Sequence, residues 1–288
     1  MGDAAEAARV NRAHKLSAIF ARMEAPDRPR REAAFEDLLK FLPANDNVES
    51  DGHPSASFLT QNTDEANLVR GALIRLLITE NNPRRVQPSG LAKPTTETQE
   101  SDANAEGSED EYYPELIGIV ADFDDERAIP ALVGAIATGG MAERGLLKYG
   151  EKALGPVLNQ LNSPDPLMRS EALSMSVTLL LRQNDAPSHA KILALIGSAL
   201  QDQEFVSRMA AIQNIERLDD ADRVSFVPRL KELAEHDPVI LPGKPDDGGD
   251  GGKFYPLRQN ARRSLRMIAN HERPQVDKGL SSDQVSPH

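Results

Sequence analysis

The sequence predicts an all-α chain built from repeated antiparallel helix pairs, and three observations carry that prediction. Apolar residues recur with helical spacing in nearly every long segment. One pattern of residues around an arginine returns along the chain. The core must be filled by small aliphatic side chains, because aromatics make up 4 % of the 288 residues and Trp is absent. The stretch from Leu154 to Leu181 is the clearest unit. Leu154, Val157, Leu158 and Leu161 make one helical face, Ser163-Pro164-Asp165-Pro166 breaks it, and Met168, Ala172, Met175 and Leu179 make the next. Asp165 suits an N-cap with Pro166 in the first helical position.

The repeat is anchored on Arg169, with Asp165 four residues before it and Ala172 and Leu173 three and four after. Arg208 repeats this with Glu204, Ala211 and Ile212, preceded by Leu193, Ile196 and Leu200. Arg31 does so with Asp27, Ala34 and Phe35, preceded by Leu16, Ile19, Phe20 and Met23. Arg258 has Ala261 in place, but its partner helix around Phe226, Leu230 and Leu233 is pushed back by an insertion. These units resemble HEAT-like repeats, the type also found in phycobilin lyase subunits and related bacterial proteins, over roughly 125–270 and more weakly over 11–79. The resemblance implies an armadillo-type α-solenoid. It also implies that the turn acid and second-helix arginine act in stacking and capping: Asp27 with Arg31, Asp165 with Arg169, Glu204 with Arg208. Such a scaffold hosts many functions.

In chain order, residues 4–24 and 28–42 are expected to form the first pair, and 45–62 a loop. A further helix should span Asp64–Thr79 and stop at Asn81-Asn82-Pro83, completing an N-terminal helical region over 4–82. The segment 83–111 is rich in Pro, Thr, Glu and Ser with almost no apolar side chain. It cannot offset its ordering entropy and is expected to be a disordered acidic linker. The repeat region follows over 112–270: a helix from Pro114, another from Asp125-Glu126 ended by Gly139-Gly140, a short one around Leu146, then the central pair. Pro238–Gly252 is the insertion, and 271–288 reads as a polar tail.

Composition narrows the chemistry. The chain has no Cys, so a disulfide, a thiolate metal site and a Cys nucleophile are excluded. No run is apolar enough to span a membrane. The charged, Ala-rich first residues lack the apolar region of a signal peptide, which points to the cytoplasm and leaves an exported, processed form open. Met1-Gly2 is followed by Glu6 where a myristoylation signal needs Ser or Thr. The net charge is −12. Residues 95–126 hold twelve carboxylates and no Lys or Arg, so the rest of the chain is balanced and general nucleic-acid binding is not expected.

Candidate sites are few. Asp246 and Asp250, with Gly251, match the first, fifth and sixth places of a calcium loop, but Gly248 and Leu257 stand where two further ligands belong. A solvated loop is the simpler reading. A HEAT-like family, deoxyhypusine hydroxylase, holds iron with repeated His-Glu pairs, and here only His271-Glu272 has that order. The other histidines read as isolated surface residues. No nucleophile motif or phosphate-binding loop is present. Arg258, Arg262 and Arg266 recur every four residues with Arg263 alongside, forming a cationic stripe. It reads as the polar face of a terminal repeat, or as a docking surface for an acidic partner or for the chain's own acidic segment. Tyr112, Tyr113, Phe254 and Tyr255 flank helix starts, as packing staples or as an exposed recognition patch. The expected function is a non-enzymatic protein–protein interaction scaffold without cofactor. The alternatives are a lyase or chaperone-lyase subunit, and a calcium-stabilised structural module.

Overall fold

The computed structural model describes residues 2–42, 56–81, 111–242 and 253–271. Contacts divide the chain into two compact units, Met1–Gln160 and Leu161–His288. The division falls inside the Leu154–Leu181 stretch, and each unit is described by itself. Regular structure among the described residues is helical, apart from a two-residue antiparallel pairing of β1 (Leu241–Pro242) with β2 (Lys253–Phe254).

In the first unit, α1 (Gly2–Met23) packs on α2 (Arg28–Phe41). Asp27 starts α2 by accepting a hydrogen bond from the Arg30 backbone N–H at 3.1 Å, and Pro29 lies in the first turn, where no N–H is needed. A short helix, α3 (Ala56–Leu59), lies where a loop was expected; the flanking 43–55 is outside the described residues. Helix α4 (Asp64–Glu80) is capped by Thr63, which accepts from Ala66 N–H at 3.2 Å. Helix α5 (Tyr112–Ala121) begins two residues before the expected Pro114 and packs on α4. A 3₁₀ turn (Glu126–Ala128), α6 (Ile129–Gly134) and a second 3₁₀ turn (Ile136–Thr138) follow. Gly139 then ends this run with φ +90°, a backbone region that favours glycine. Helix α7 (Gly140–Tyr149) packs on α5 and α6, and α8 (Glu151–Asn159) packs on α6 and α7.

The core of this unit is mainly aliphatic, with Phe35 and Phe123 buried among the leucines and alanines. Leu38, Leu73, Leu77, Leu116, Leu132 and Leu146 are wholly buried, each worth about 1.5–3 kcal/mol. Small residues set the α5–α7 crossing. A Cβ on Gly145 would lie 2.9 Å from Ala121 Cα and from Leu132 Cδ1.

In the second unit, α9 (Pro166–Gln183) packs on α10 (Ala186–Ala199) and α11 (Phe205–Ile215). Asp165 caps α9, accepting from Leu167 N–H at 2.9 Å, and Asn184 ends it in the left-handed region at φ 50°. Helices α12 (Asp220–Ser225), α13 (Val227–His236) and α14 (Pro256–His271) complete it. Of these, α12 is not legible in the apolar spacing, since Ala221 and Val224 are its only apolar residues and none of its side chains is buried. In α8 and α10 the first buried position of the apolar face sits one residue earlier than the spacing predicts. Ala153 and Ile192 are buried, while Leu154 and Leu193 are half-exposed. Val157, Ile196 and Leu200 are buried as the spacing predicts, so the buried positions run i, i+4.

Candidate functional site

Each second-helix arginine is fixed by the turn that precedes its own helix. Arg169 Nη1 donates to the carbonyls of Ser163 and Pro164 at 2.9 and 3.2 Å. Arg208 Nη1 donates to those of Asp202 and Gln203 at 2.8 and 2.7 Å. Arg31 Nη1 donates to those of Ala25 and Pro26 at 2.8 and 3.0 Å. In all three the acceptors lie six and five residues before the arginine. The repeat is therefore one local device, used three times.

The other edge of each guanidinium reaches a carboxylate far along the chain. Arg169 Nε and Nη2 take the two oxygens of Asp202 at 3.0 and 3.1 Å, a bidentate pair. Arg208 Nε and Nη2 both meet Asp237 Oδ2, at 3.1 and 3.0 Å. Arg31 Nε meets Glu80 Oε1 at 2.5 Å, and Glu80 also accepts from the Tyr112 hydroxyl at 3.2 Å. A fourth arginine joins this set without matching the repeat. Arg70 donates to the carbonyls of Leu59 and Gln61 and lies 3.7 Å from Asp125. In the second unit the contacts form a continuous ladder. Asp202 and Asp237 each accept one arginine at the carboxylate and the next at the backbone carbonyl, ending with Arg258 Nε on the Asp237 carbonyl at 2.7 Å.

Titration follows these contacts. Burial pushes Asp202 up, but hydrogen bonds from Arg169 and the Glu204 N–H outweigh it and leave the carboxyl below the ordinary range. The hydrogen bond to Asp202 raises Arg169 in turn. Burial, reinforced by the Tyr112–Glu80 contact, pushes the Tyr112 hydroxyl far up, so it stays a neutral donor.

Of the expected acids, Asp27 and Asp165 are caps. Glu204 stands at the N-cap of α11 with no side-chain cap bond; Asp202, two residues earlier, accepts from the Glu204 N–H at 2.8 Å and from Arg169. The residues that the sequence reading missed are the distant acceptors Glu80, Asp202 and Asp237. Each lies two or three residues after the last buried apolar side chain of its segment (Leu77, Leu200 and Ala234), a spacing visible in the sequence.

The cationic stripe on α14 divides. Arg258 is half-buried, with its guanidinium carbon 4.4 Å from the centre of the Tyr255 ring and its Nε on the Asp237 carbonyl. Arg262, Arg263 and Arg266 are exposed and, with Gln259 and Asn260, line a concavity of about 430 Å³. Glu216 lies 3.9 Å from Arg263, and among the described residues Arg262 and Arg266 have no acidic partner. Tyr112 and Tyr255 serve packing: Tyr112 meets Phe35 edge-on at 5.3 Å, and Tyr255 lies under Arg258.

Asp246 and Asp250 lie outside the described residues, as does the linker over 83–110. His271 is the last residue of α14, and Glu272 also lies outside the described residues. His189 is not isolated. Its Nε2 lies 2.7 Å from Asp222 Oδ2, with Asp219 close by as the cap of α12. An apolar groove of about 300 Å³ opens in the first unit, lined by Leu59, Gly118, Ile119, Phe123 and Met141. No helix among the described residues is long and apolar enough to cross a membrane. No family model, no curated protein and no solved structure matches this chain.

Proposed function

We propose that the chain is a non-enzymatic protein–protein interaction scaffold, built of HEAT-like helix pairs stacked as an α-solenoid, that receives an acidic partner on the outer face of α14. The solenoid reading is supported by the recurrence of one arginine–turn device, with each arginine tied to a carboxylate of a later segment. The docking reading is carried by a single observation. Arg262, Arg263 and Arg266 crowd one exposed helix face, and among the described residues only Glu216 forms an ion pair with any of them. Unpaired guanidinium groups on a fixed helix attract carboxylates and orient them. The chain carries −12 overall, so an acidic partner gains nothing from its net field and must bind through this local patch.

Affinity capture with the intact chain as bait tests the proposal when repeated with the Arg262→Glu/Arg266→Glu variant. The expected partner carries an acidic stretch, is recovered by the native chain and is lost with the variant. A partner recovered equally by both would place the interaction elsewhere.

A further inference from the structure

The ladder in the second unit ends on an open rung. Arg169 and Arg208 each close on a carboxylate supplied by a later segment, Asp202 and Asp237. Arg258 continues the series on the Asp237 backbone, since its Nε donates to that carbonyl at 2.7 Å. No carboxylate among the described residues approaches Arg258, and its two Nη groups donate to none of them. The guanidinium is nevertheless held in place, stacked 4.4 Å from the centre of the Tyr255 ring. A stacked, hydrogen-bonded guanidinium has already lost much of its rotamer freedom and presents its remaining N–H groups as a planar fork.

We infer that Arg258 is the specific seat for an aspartate or glutamate side chain of a partner protein, bound through its two Nη groups, since its Nε is already engaged by the Asp237 carbonyl. The inference rests on the docking reading above and divides its labour. Arg258 supplies a directional, paired hydrogen bond to one carboxylate. Arg262 and Arg266, farther along the same stripe, supply exposed charge that draws flanking acids and is screened by salt. The two inner rungs show an arginine of this unit holding a carboxylate on one edge and backbone carbonyls on another; in Arg258 the Nε takes the carbonyl, and the Nη edge is left for the carboxylate.

The test uses the full chain and a fluorescein-labelled hexa-aspartate peptide, with hexa-asparagine as the neutral control, read by fluorescence anisotropy over a salt series. The native chain is expected to bind the aspartate peptide and not the asparagine one. Arg262→Ser/Arg266→Ser should weaken binding and flatten its salt dependence. Arg258→Lys keeps the charge but removes the fork, and should weaken binding about tenfold while leaving the salt dependence in place. Tyr255→Leu, which removes the stacking platform without touching a charge, should weaken it several-fold. If Arg258→Lys and Tyr255→Leu bind like the native chain while the Arg262/Arg266 variant loses the peptide, the seat is overturned and the docking face stands. If the Arg262/Arg266 variant binds unchanged, or the native chain does not bind, the docking face itself is overturned.

Discussion

Arg31 and Glu80 stand 49 residues apart in sequence and meet at 2.5 Å with 1 % and 5 % of their side chains exposed. Two charges so far from water are tolerable only because their remaining groups are also satisfied. Arg31 Nη1 binds two carbonyls, and Glu80 accepts from the Tyr112 hydroxyl. The pair ties α2 to the end of α4 and to the first residue of α5, so a single contact fixes three elements of the first unit.

Breaking this pair from one side should therefore be costly. Arg31→Ala, or Glu80→Gln, is expected to destabilise the protein by about 3–5 kcal/mol, the range for leaving one buried charge without its partner. The Arg31→Met/Glu80→Leu double variant should recover much of that loss, because no uncompensated charge remains. Urea denaturation of the three variants gives the comparison. Equal losses in the single and double variants would mean that shape, not charge, sets the cost.

Resemblance and structure make opposite predictions at the α11 turn. The HEAT-like pattern assigns the acidic role to Glu204, whereas the structure assigns it to Asp202. Asp202→Ala should destabilise by about 1–3 kcal/mol, and Arg169→Ala by a similar amount. Glu204→Ala should change stability by no more than about 0.5 kcal/mol, as at an ordinary surface position. Thermal melts of the three variants would show the ranking reversed if Glu204 were the structural acid.

The same carboxylate gives a pH dependence of known sign. Asp202 is held below the ordinary aspartate value of 3.8 in the folded chain. Its contribution is present above 3.8 and is lost as pH falls through the lower folded value. The melting temperatures of the native chain and of Asp202→Asn should thus differ at neutral pH and converge on acidification below 3.8. A gap that stays constant across that range would assign the effect to packing.

Two helical glycines should respond in opposite directions. Gly145→Ala places a Cβ 2.9 Å from the Ala121 backbone and should cost about 1–3 kcal/mol. Gly71→Ala, inside α4, meets only the ends of the Arg75 and Arg127 side chains, at 3.5 and 3.9 Å. It should stabilise the helix by about 0.5–1 kcal/mol, since alanine loses less backbone freedom on folding. Denaturation midpoints separate the two, and a stabilising Gly145→Ala would show that α5 and α7 part easily.

Where most helices form and how they start is legible in the residues alone. Apolar residues at helical spacing, Asp27 and Asp165 before Pro-containing first turns, and Gly139 at a chain reversal act within a few residues, and local geometry decides them. The sequence also marked Arg31, Arg169 and Arg208, because their contacts to the preceding turn span only five and six residues. Which carboxylate each arginine meets, from 29 to 49 residues away, depends on how the helices pack, and the folded chain sets it. It moved the acidic role from Glu204 to Asp202, and it turned Arg258 inward onto Tyr255 while Arg262, Arg263 and Arg266 stayed in solvent. Helical spacing places all four arginines on one stripe. Which of them is buried depends on where the chain packs beside α14, and no spacing within α14 encodes that.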